Sequence, residues 1–228
     1  MFARLTSPKI ELLKWIGIIS MVSDHVGVLF YPLLLEFRMV GRLAYPLFGY
    51  VLIHNYIFYS KNKTNYIKRL LILAVISEPL HYMLFEKYYA WINIFFMYAM
   101  TLFSIYIIEE SSIFLKKVKF RKILIWIIFI LFFALSFFIE YDIRGYLLLL
   151  SFYYLFKKIK KYMLVFSFLI LALLDAPYPP FILSSLFIYP IIYFVSISKI
   201  PVVFRSKVFF YLFYPVHIAI LLGFKFNF

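Results

Sequence analysis

A carboxylate and an imidazole stand side by side, as Asp24 and His25, inside the apolar segment 10–31. That segment is long enough to cross a bilayer, where a charged side chain costs about 2.5–3.5 kcal/mol even on the mildest insertion scale. Ionisable residues within spans therefore face a bundle interior or a cavity and are functional candidates by default. Histidine titrates near neutral pH, so His25 has the chemistry of a general base. The same position also fits a structural histidine that holds a neighbouring helix.

Other polar residues fall at a similar depth when the apolar segments are arranged as helices of alternating direction. They are Arg42, Glu78, His81, Asn93, Glu140, Asp142, Arg144 and Asp175. Adjacent residues on a helix do not face each other, so Asp24 is expected to pair with Arg42 or another helix rather than with His25. The sequence thus predicts an acid/base cluster just under the outer face of a membrane.

Two further histidines depend on the helices that carry them. His217 lies near the middle of the last apolar segment, two residues after Pro215, which interrupts the backbone hydrogen bonds and predicts a bend. His217 then either lines a central channel or repairs the interrupted ladder, and the sequence favours neither. His54 lies in the inner half of the second apolar segment and is expected to be structural.

Composition places these residues in a membrane protein. Hydrophobic residues make up 66% of the 228 positions and recur in long segments, which predicts a single integral membrane domain over residues 1–228 with the lipid bilayer around it. The basic residues behind the net charge of +14 cluster in short loops, which indicates transmembrane topology rather than nucleic-acid binding. The lack of cysteine excludes disulfides and thiolate nucleophiles, and the scattered histidines predict no metal site.

The apolar segments also predict a transmembrane topology. They are about 10–31, 40–59, 66–85, 88–108, 120–139, 141–156, 159–176, 180–198 and 208–226. Most of the 24 Lys and Arg residues fall in alternate connections, and the exceptions are Arg38, Arg42, Lys87, Arg144 and Lys225. By the positive-inside rule this predicts an all-α bundle of about nine spans with a cytoplasmic N-terminus. Segments 141–156 and 159–176 are shorter than the ~20 residues of a usual span, so the alternative is seven spans plus a re-entrant pair.

The residues alone leave three classes of function open. An enzyme and a transporter of a small envelope precursor both fit intramembrane acids, histidines and arginines, and no P-loop, HExxH motif or nucleophile elbow decides between them. Transport sites usually lie near the midplane between repeats, whereas this cluster is off-centre and no repeat is visible, which slightly favours an enzyme. A non-catalytic assembly partner of a secretion or polymer system is the third possibility.

Ordered motifs along nearly the whole chain resemble the TraX family of integral membrane proteins. The motifs are KWIGIISMVSDHVG, GRLAYPLFGYVLIHNY, NYIKRLLILAVISEP, NIFFMYAMTL, DIRGYLLLL and FYLFYPVHIAILL. Such proteins are grouped with transmembrane acyltransferases, and members from conjugative plasmids are associated with N-terminal acetylation of pilin. The resemblance implies a prokaryotic cytoplasmic-membrane enzyme that transfers an acyl group from cytoplasmic acyl-CoA, such as acetyl-CoA, to an acceptor outside. A glycan hydroxyl and a peptide or protein amine both stay open as the acceptor.

The resemblance also assigns roles to residues of this chain. It puts catalytic weight on Asp24, His25, Arg42, Asn93 and Asp142. His25 would deprotonate the acceptor or take the acyl group first, while Arg42 and Asn93 would stabilise an oxyanion or hold Asp24. The residues expected to contact acyl-CoA, with the cationic ones at its phosphates, are Arg69, Arg205, Lys207, Tyr214 and His217.

Overall fold

The computed structural model describes residues 4–87, 92–114, 121–157, 160–176, 178–201 and 207–227. Within these ranges the chain is helical and forms no strand, which confirms the predicted all-α class. The helices are α1 Ser7–Phe30, α2 Leu35–Gly41, α3 Ala44–Phe58, α4 Lys63–Phe85, α5 Ile94–Phe114, α6 Arg121–Ser136, α7 Asp142–Phe156, α8 Lys160–Leu174, α9 Pro179–Leu186, α10 Ile188–Ile197 and α11 Lys207–Asn227. An isolated parallel bridge between Ile92 and Ile139 ties the start of α5 to the loop after α6.

The first helix lies at the centre of the packing. α1 contacts α2, α3, α10 and α11, so the two ends of the described chain meet. α3 packs against α5 and α7, α4 lies between α5 and α11, and α8 joins α7 to α9. Large apolar side chains fill the core, and Tyr50, Tyr56, Phe85 and Phe152 are completely buried there.

Three helical segments of the described chain are long and apolar enough to cross a membrane. They are Ser7–Phe30, Pro179–Ile197 and Val208–Lys225, judged by length and composition. The second combines α9 and α10, which are separated only at Phe187. Together with two shorter apolar helices, Ile123–Ser136 and Tyr162–Leu174, they indicate a membrane protein. The count of about nine spans stays a prediction.

The second predicted segment, 40–59, is not a continuous helix. α2 ends at Gly41 and α3 begins at Ala44, so the chain changes helix at residues 42 and 43. The short segments 141–156 and 159–176 correspond to α7 and α8, which have 15 residues each and pack against one another. Both are shorter than a usual span, as the sequence indicated.

Polar residues distinguish the two ends of the bundle. The lysine end is where α1, α4 and α11 begin, and it carries Lys14, Lys61 and Arg69. The histidine end, toward which the same three helices run, carries His25 and His217.

Glu109 of α5 ties several helices together at the lysine end. Its carboxylate lies 2.6 Å from Lys63 Nζ of α4 and 3.2 Å from Lys157 Nζ, directly after α7. It also accepts a hydrogen bond of 2.9 Å from the hydroxyl of Tyr153. Burial raises the pKa of this carboxyl, but the hydrogen bonds from Lys63, Tyr153 and Lys157 outweigh burial and hold the pKa below its usual value. Glu109 is therefore an ionised joint between α4, α5 and α7.

His54 has the structural position expected from the sequence. It is completely buried in α3, and its Nε2 accepts a 2.9 Å hydrogen bond from the backbone N–H of Leu5. The hydroxyl of Tyr59 donates a 2.6 Å hydrogen bond to the backbone carbonyl of Leu5. These bonds hold the segment before α1 against the end of α3.

Candidate functional site

Two histidines from the first and last helices meet inside the histidine end. His25 Nδ1 of α1 and His217 Nε2 of α11 are 2.8 Å apart, which is a hydrogen-bond distance. Their rings are nearly parallel, at 8°, and both residues are buried. Phe85 packs edge-on against His25, with ring centroids 4.9 Å apart. Paired imidazoles in apolar surroundings have the chemistry to hold and transfer a proton.

Pro215 shapes the turn of α11 that carries His217. Proline has no N–H, so one backbone hydrogen bond of the helix is lost there. His217 Nδ1 lies 3.0 Å from the carbonyl oxygen of Phe213. This histidine thus contacts its own helix backbone through one ring nitrogen and His25 through the other. The helical partner of residue 215 is the carbonyl of Tyr211, four positions earlier, so the contact with Phe213 does not repair the bond that Pro215 removes. That His217 lines a central channel stays a prediction.

Asp24 pairs with Arg38 rather than with Arg42. Arg38 Nη1 is 3.2 Å from Asp24 Oδ2, whereas Arg42 Nη1 is 3.3 Å from Asp175 Oδ1, just after α8. The reason is that α2 is a separate helix lying along α1, which brings Arg38 over Asp24 and places Arg42 at the C-cap of α2. The sequence expected Asp24 to pair with Arg42 or with another helix, and the partner in the structure is Arg38 of α2.

Gly41 allows α2 to lie this close to Asp24. A Cβ atom on Gly41 would collide with Cβ and Oδ1 of Asp24 and would lie 2.6 Å from its Cγ. Asp24 Oδ1 is buried and has no hydrogen-bond partner among the described residues. Helix α2 therefore holds this carboxylate through a single oxygen and covers it with backbone.

Asn93 is a joint between α4 and α5. Its side-chain amide donates to Glu78 Oε2 at 2.6 Å and to the carbonyl of Ala74 at 2.8 Å, and its own oxygen accepts from the N–H of Phe95 at 3.0 Å. The residue is completely buried. These contacts engage Asn93 with Glu78 and the backbone of α4, and not with Asp24, which was one of its two predicted roles.

Asp142 begins α7 in an unusual backbone conformation. Tyr141 and Asp142 have φ values of 68° and 46°, a left-handed region that is strained for residues other than glycine. The Asp142 carboxylate accepts from the N–H of Arg144 at 2.8 Å and from its Nη2 at 2.6 Å. The ring of Tyr141 stacks on Tyr45 with centroids 4.0 Å apart. Asp142 therefore fixes the loop that presents Tyr141, by pairing with Arg144.

Sequence reasoning missed three residues of the histidine end: Arg38, Tyr45 and Tyr141. A signal existed for Arg38, because Arg38, Gly41 and Arg42 have the i, i+3, i+4 spacing of one helix face. The two tyrosines carried no local signal, since their stacking joins α3 to the start of α7.

A cavity of about 660 Å³ runs from the lysine end into the bundle. Along α1 it is lined from Ser7 to Met21, roughly 21 Å at 1.5 Å per residue. Polar side chains surround its mouth, and those that line it are Ser7, Glu11, Lys14, Asn55, Ser60, Lys61, Asn62 and Arg69. The inner part is apolar and aromatic, and His25 follows the last α1 residue of the lining by one helical turn.

Tyr214 connects the inner end of the cavity with the two histidines. It lines the cavity together with Phe95 and Tyr98. Its ring centroid lies 4.9 Å from that of Phe95, 5.5 Å from His217 and 6.4 Å from His25. One aromatic ring therefore separates the cavity from the paired imidazoles.

The predicted donor-binding residues fall into three groups. Arg69 and Tyr214 line the cavity, at its mouth and inner end. His217 packs against His25 instead. Arg205 and the side chain of Lys207 lie outside the described residues.

Two cations at the mouth were not predicted: Lys14 and Lys61, both of which line the cavity. Lys14 Nζ is 2.6 Å from Glu11 Oε2 and 3.8 Å from the ring centroid of Phe210. In the part of the chain that the structure describes, no group of three His, Asp or Glu side chains is placed to hold a metal ion.

A family model described as TraX protein matches residues 9–225, which include both histidines and all of the cavity lining except Ser7. The chain belongs to the TraX family. A probable fimbrial assembly protein, FimC of serogroup H1 from Dichelobacter nodosus, is 29% identical over an alignment of 245 positions, which covers 93% of this TraX-family chain and 94% of that protein. An uncharacterized protein of Rickettsia prowazekii (strain Madrid E) is 37% identical over 78 residues, or 34% of this chain and 29% of that protein. No solved structure matches the TraX-family chain.

Proposed function

We propose that this TraX-family protein is a membrane-embedded acyltransferase. It takes an acetyl or related acyl group from acyl-CoA at the lysine end and transfers it to an acceptor that reaches the histidine end. The observation that carries this proposal is the cavity, which has a basic mouth and an aromatic inner end beside the histidine pair. The positive-inside rule then orients the lysine end toward the cytoplasm of a prokaryotic cell.

The cavity suits the chemistry of an acyl-CoA in two ways. Lys14, Lys61 and Arg69 at its mouth can meet phosphates, and arginine in particular binds phosphate through paired N–H groups. Beyond Lys14, the apolar interior continues for roughly another 10 Å along α1, as far as Met21, and can accommodate an uncharged arm. A thioester at the end of that arm would lie beside Tyr214, next to the histidines.

His25 is the base in the proposed reaction. It removes the proton from the attacking hydroxyl or amine of the acceptor, whose oxygen or nitrogen bonds to the acyl carbon. The carbon–sulfur bond breaks, and the CoA thiolate leaves through the cavity and takes up a proton. Arg38 and Arg42 are the nearby cations of the histidine end, held by Asp24 and Asp175.

Purified protein with labelled acetyl-CoA tests this proposal. With a panel of amino sugars and peptides as acceptors, wild-type protein should release CoA and label one acceptor class. His25→Ala should lower kcat by about 10²–10⁴-fold, the usual contribution of a general base, while donor binding persists. His54→Gln is the matched control, because His54 packs at the lysine end against Leu5, and this variant should keep the transfer activity of the wild type. Full activity of folded His25→Ala would sink the assignment.

The name of the Dichelobacter relative favours a second candidate, a role in assembling surface fibres. A role in fibre assembly is compatible with the proposed acyltransferase activity if a fibre subunit is the acceptor of the acyl group. A purely non-catalytic assembly partner would co-purify with fibre components and bind no acyl-CoA. A transporter would bind its cargo, and any acyl-CoA it bound would keep its thioester intact.

A further inference from the structure

We infer that His217 is a positioning residue that fixes the tautomer of His25, so that His25 Nε2 carries the reactive lone pair. The inference rests on the proposed function for its catalytic meaning, and on hydrogen-bond geometry alone for the tautomer. Nothing in the sequence indicated it, because the two histidines are 192 positions apart.

The Phe213 carbonyl determines which nitrogen of His217 carries the hydrogen. A carbonyl oxygen only accepts hydrogen bonds, so His217 Nδ1, 3.0 Å away, must carry a hydrogen. A neutral imidazole has one N–H, which leaves the Nε2 of His217 as an acceptor. The backbone carbonyl of Phe213 thus sets the tautomer of His217.

His217 in turn determines the tautomer of His25. Its Nδ1 lies 2.8 Å from the accepting Nε2 of His217, so Nδ1 must be the donor. The single hydrogen of neutral His25 is then on Nδ1, and Nε2 has a lone pair. The opposite tautomer would set two lone pairs against each other at hydrogen-bond distance, which is repulsive. His25 is therefore presented with a fixed base atom.

A fixed tautomer matters because a base with its proton on the wrong nitrogen cannot act. In the serine protease triad, which uses a carboxylate for this purpose, the wrong tautomer costs on the order of 10⁴ in kcat. Here a neutral imidazole replaces the carboxylate. When His25 Nε2 takes a proton from the acceptor, Nδ1–H keeps donating to His217, so the geometry of the pair persists through the step.

Nitrogen NMR of the wild-type protein tests the tautomer directly. The chain has four histidines, so ¹⁵N-histidine labelling gives few signals, and the signal lost in His25→Gln identifies His25. The expected result is a hydrogen on Nδ1 and an unprotonated Nε2. A hydrogen on Nε2 of neutral His25 would overturn the inference. This result does not depend on any activity, so it separates the inference from the proposed function.

Two variants test the catalytic meaning. His217→Gln places an amide oxygen near the position of Nε2, where it can accept from His25, while His217→Leu offers no acceptor. We expect kcat of the leucine variant to fall at least about tenfold below that of the glutamine variant, with the KM for the donor unchanged. Equal kcat values, or a change confined to KM, would refute the positioning role. If wild-type protein transfers no acyl group at all, the proposed function fails while the NMR result still decides the tautomer.

Discussion

The contact between Gly41 and Asp24 can be perturbed by a single methyl group. In Gly41→Ala, the new Cβ would lie 2.6 Å from Asp24 Cγ, whereas ordinary contacts of this kind are 3.4–4 Å. Asp24 Cβ, which it would also strike, is fixed to the backbone of α1. Rotating the carboxylate is therefore not enough, and α1 and α2 must separate.

The expected cost combines opposing effects. Alanine in place of glycine favours a helix by up to about 1 kcal/mol. Overpacking costs about 1–3 kcal/mol, and separation of the helices stretches the Asp24–Arg38 ion pair, whose carboxylate is only 14% exposed. Weakening that pair adds a further cost of about 1 kcal/mol, discounted because both side chains keep some contact with solvent. The net destabilisation is about 1–3 kcal/mol.

Thermal unfolding in detergent measures this effect, and the chain provides a matched control. At Gly223 of α11 an added Cβ would meet no atom of the described residues within 4 Å beyond its own helix turn. Gly223→Ala should therefore raise the melting temperature slightly, and Gly41→Ala should lower it by roughly 2–12 °C. If both variants shift the melting temperature in the same direction, the close packing of α2 on Asp24 is not what makes Gly41 necessary.

Three further perturbations have defined outcomes. Arg69→Gln should raise the Kd for acetyl-CoA by roughly 5–30-fold, because about 1–2 kcal/mol of a proposed exposed phosphate contact is lost. The neighbouring control, Lys68→Gln, should leave the Kd unchanged. Binding titrations at two salt concentrations measure both variants, and equal Kd values for the two would contradict the proposed role of Arg69. Because the folded-state pKa of Glu109 is depressed, its pairing stabilises the protein above the ordinary carboxyl range and is lost as pH falls through the folded pKa. The Glu109→Gln variant should thus be less stable than wild type at neutral pH and should lose less unfolding free energy on acidification. If the plots of stability against pH are parallel for the two proteins, Glu109 does not act as an ionised joint. Asn93→Ala removes the side-chain amide that donates to Glu78 and to the Ala74 carbonyl, while the backbone N–H of residue 93 can keep its bond to Glu78. This change should cost about 1–3 kcal/mol of unfolding free energy, and unchanged denaturant unfolding would show that the joint is unimportant.

Local patterns in the sequence were sufficient to predict most helices but not which side chains pair between helices. The apolar segment 208–226 predicted the bounds of α11, Lys207–Asn227, to within two residues, because the length of an apolar helix depends on residues that are neighbours in the sequence. The break between α2 and α3 was missed, since the apolar run 40–59 continues across it. The buried position of His25 followed from the cost of polar groups in a membrane.

Long-range pairing was beyond sequence reasoning for a physical reason. Arg38 and Arg42 have the same chemistry and lie one turn apart, so only the direction of α2 decides which one meets Asp24. Asn93 offers an amide that suits an oxyanion as well as a carboxylate, and the fold gives it Glu78. The identity of a side chain limits its possible partners, and the packing of helices selects among them.

The contact between His25 and His217 has a consequence for when the site can exist. The two residues are separated by 192 positions, and a ribosome that adds 5–20 residues per second makes them roughly 10–40 s apart. Helices α1 to α10 can therefore be in place while the first histidine still lacks its partner. Such a nascent chain would lack the part of the cavity wall that α11 contributes, including Tyr214. Docking of α11 therefore forms the histidine pair and adds its side of the cavity wall only after α1 to α10 have been synthesised.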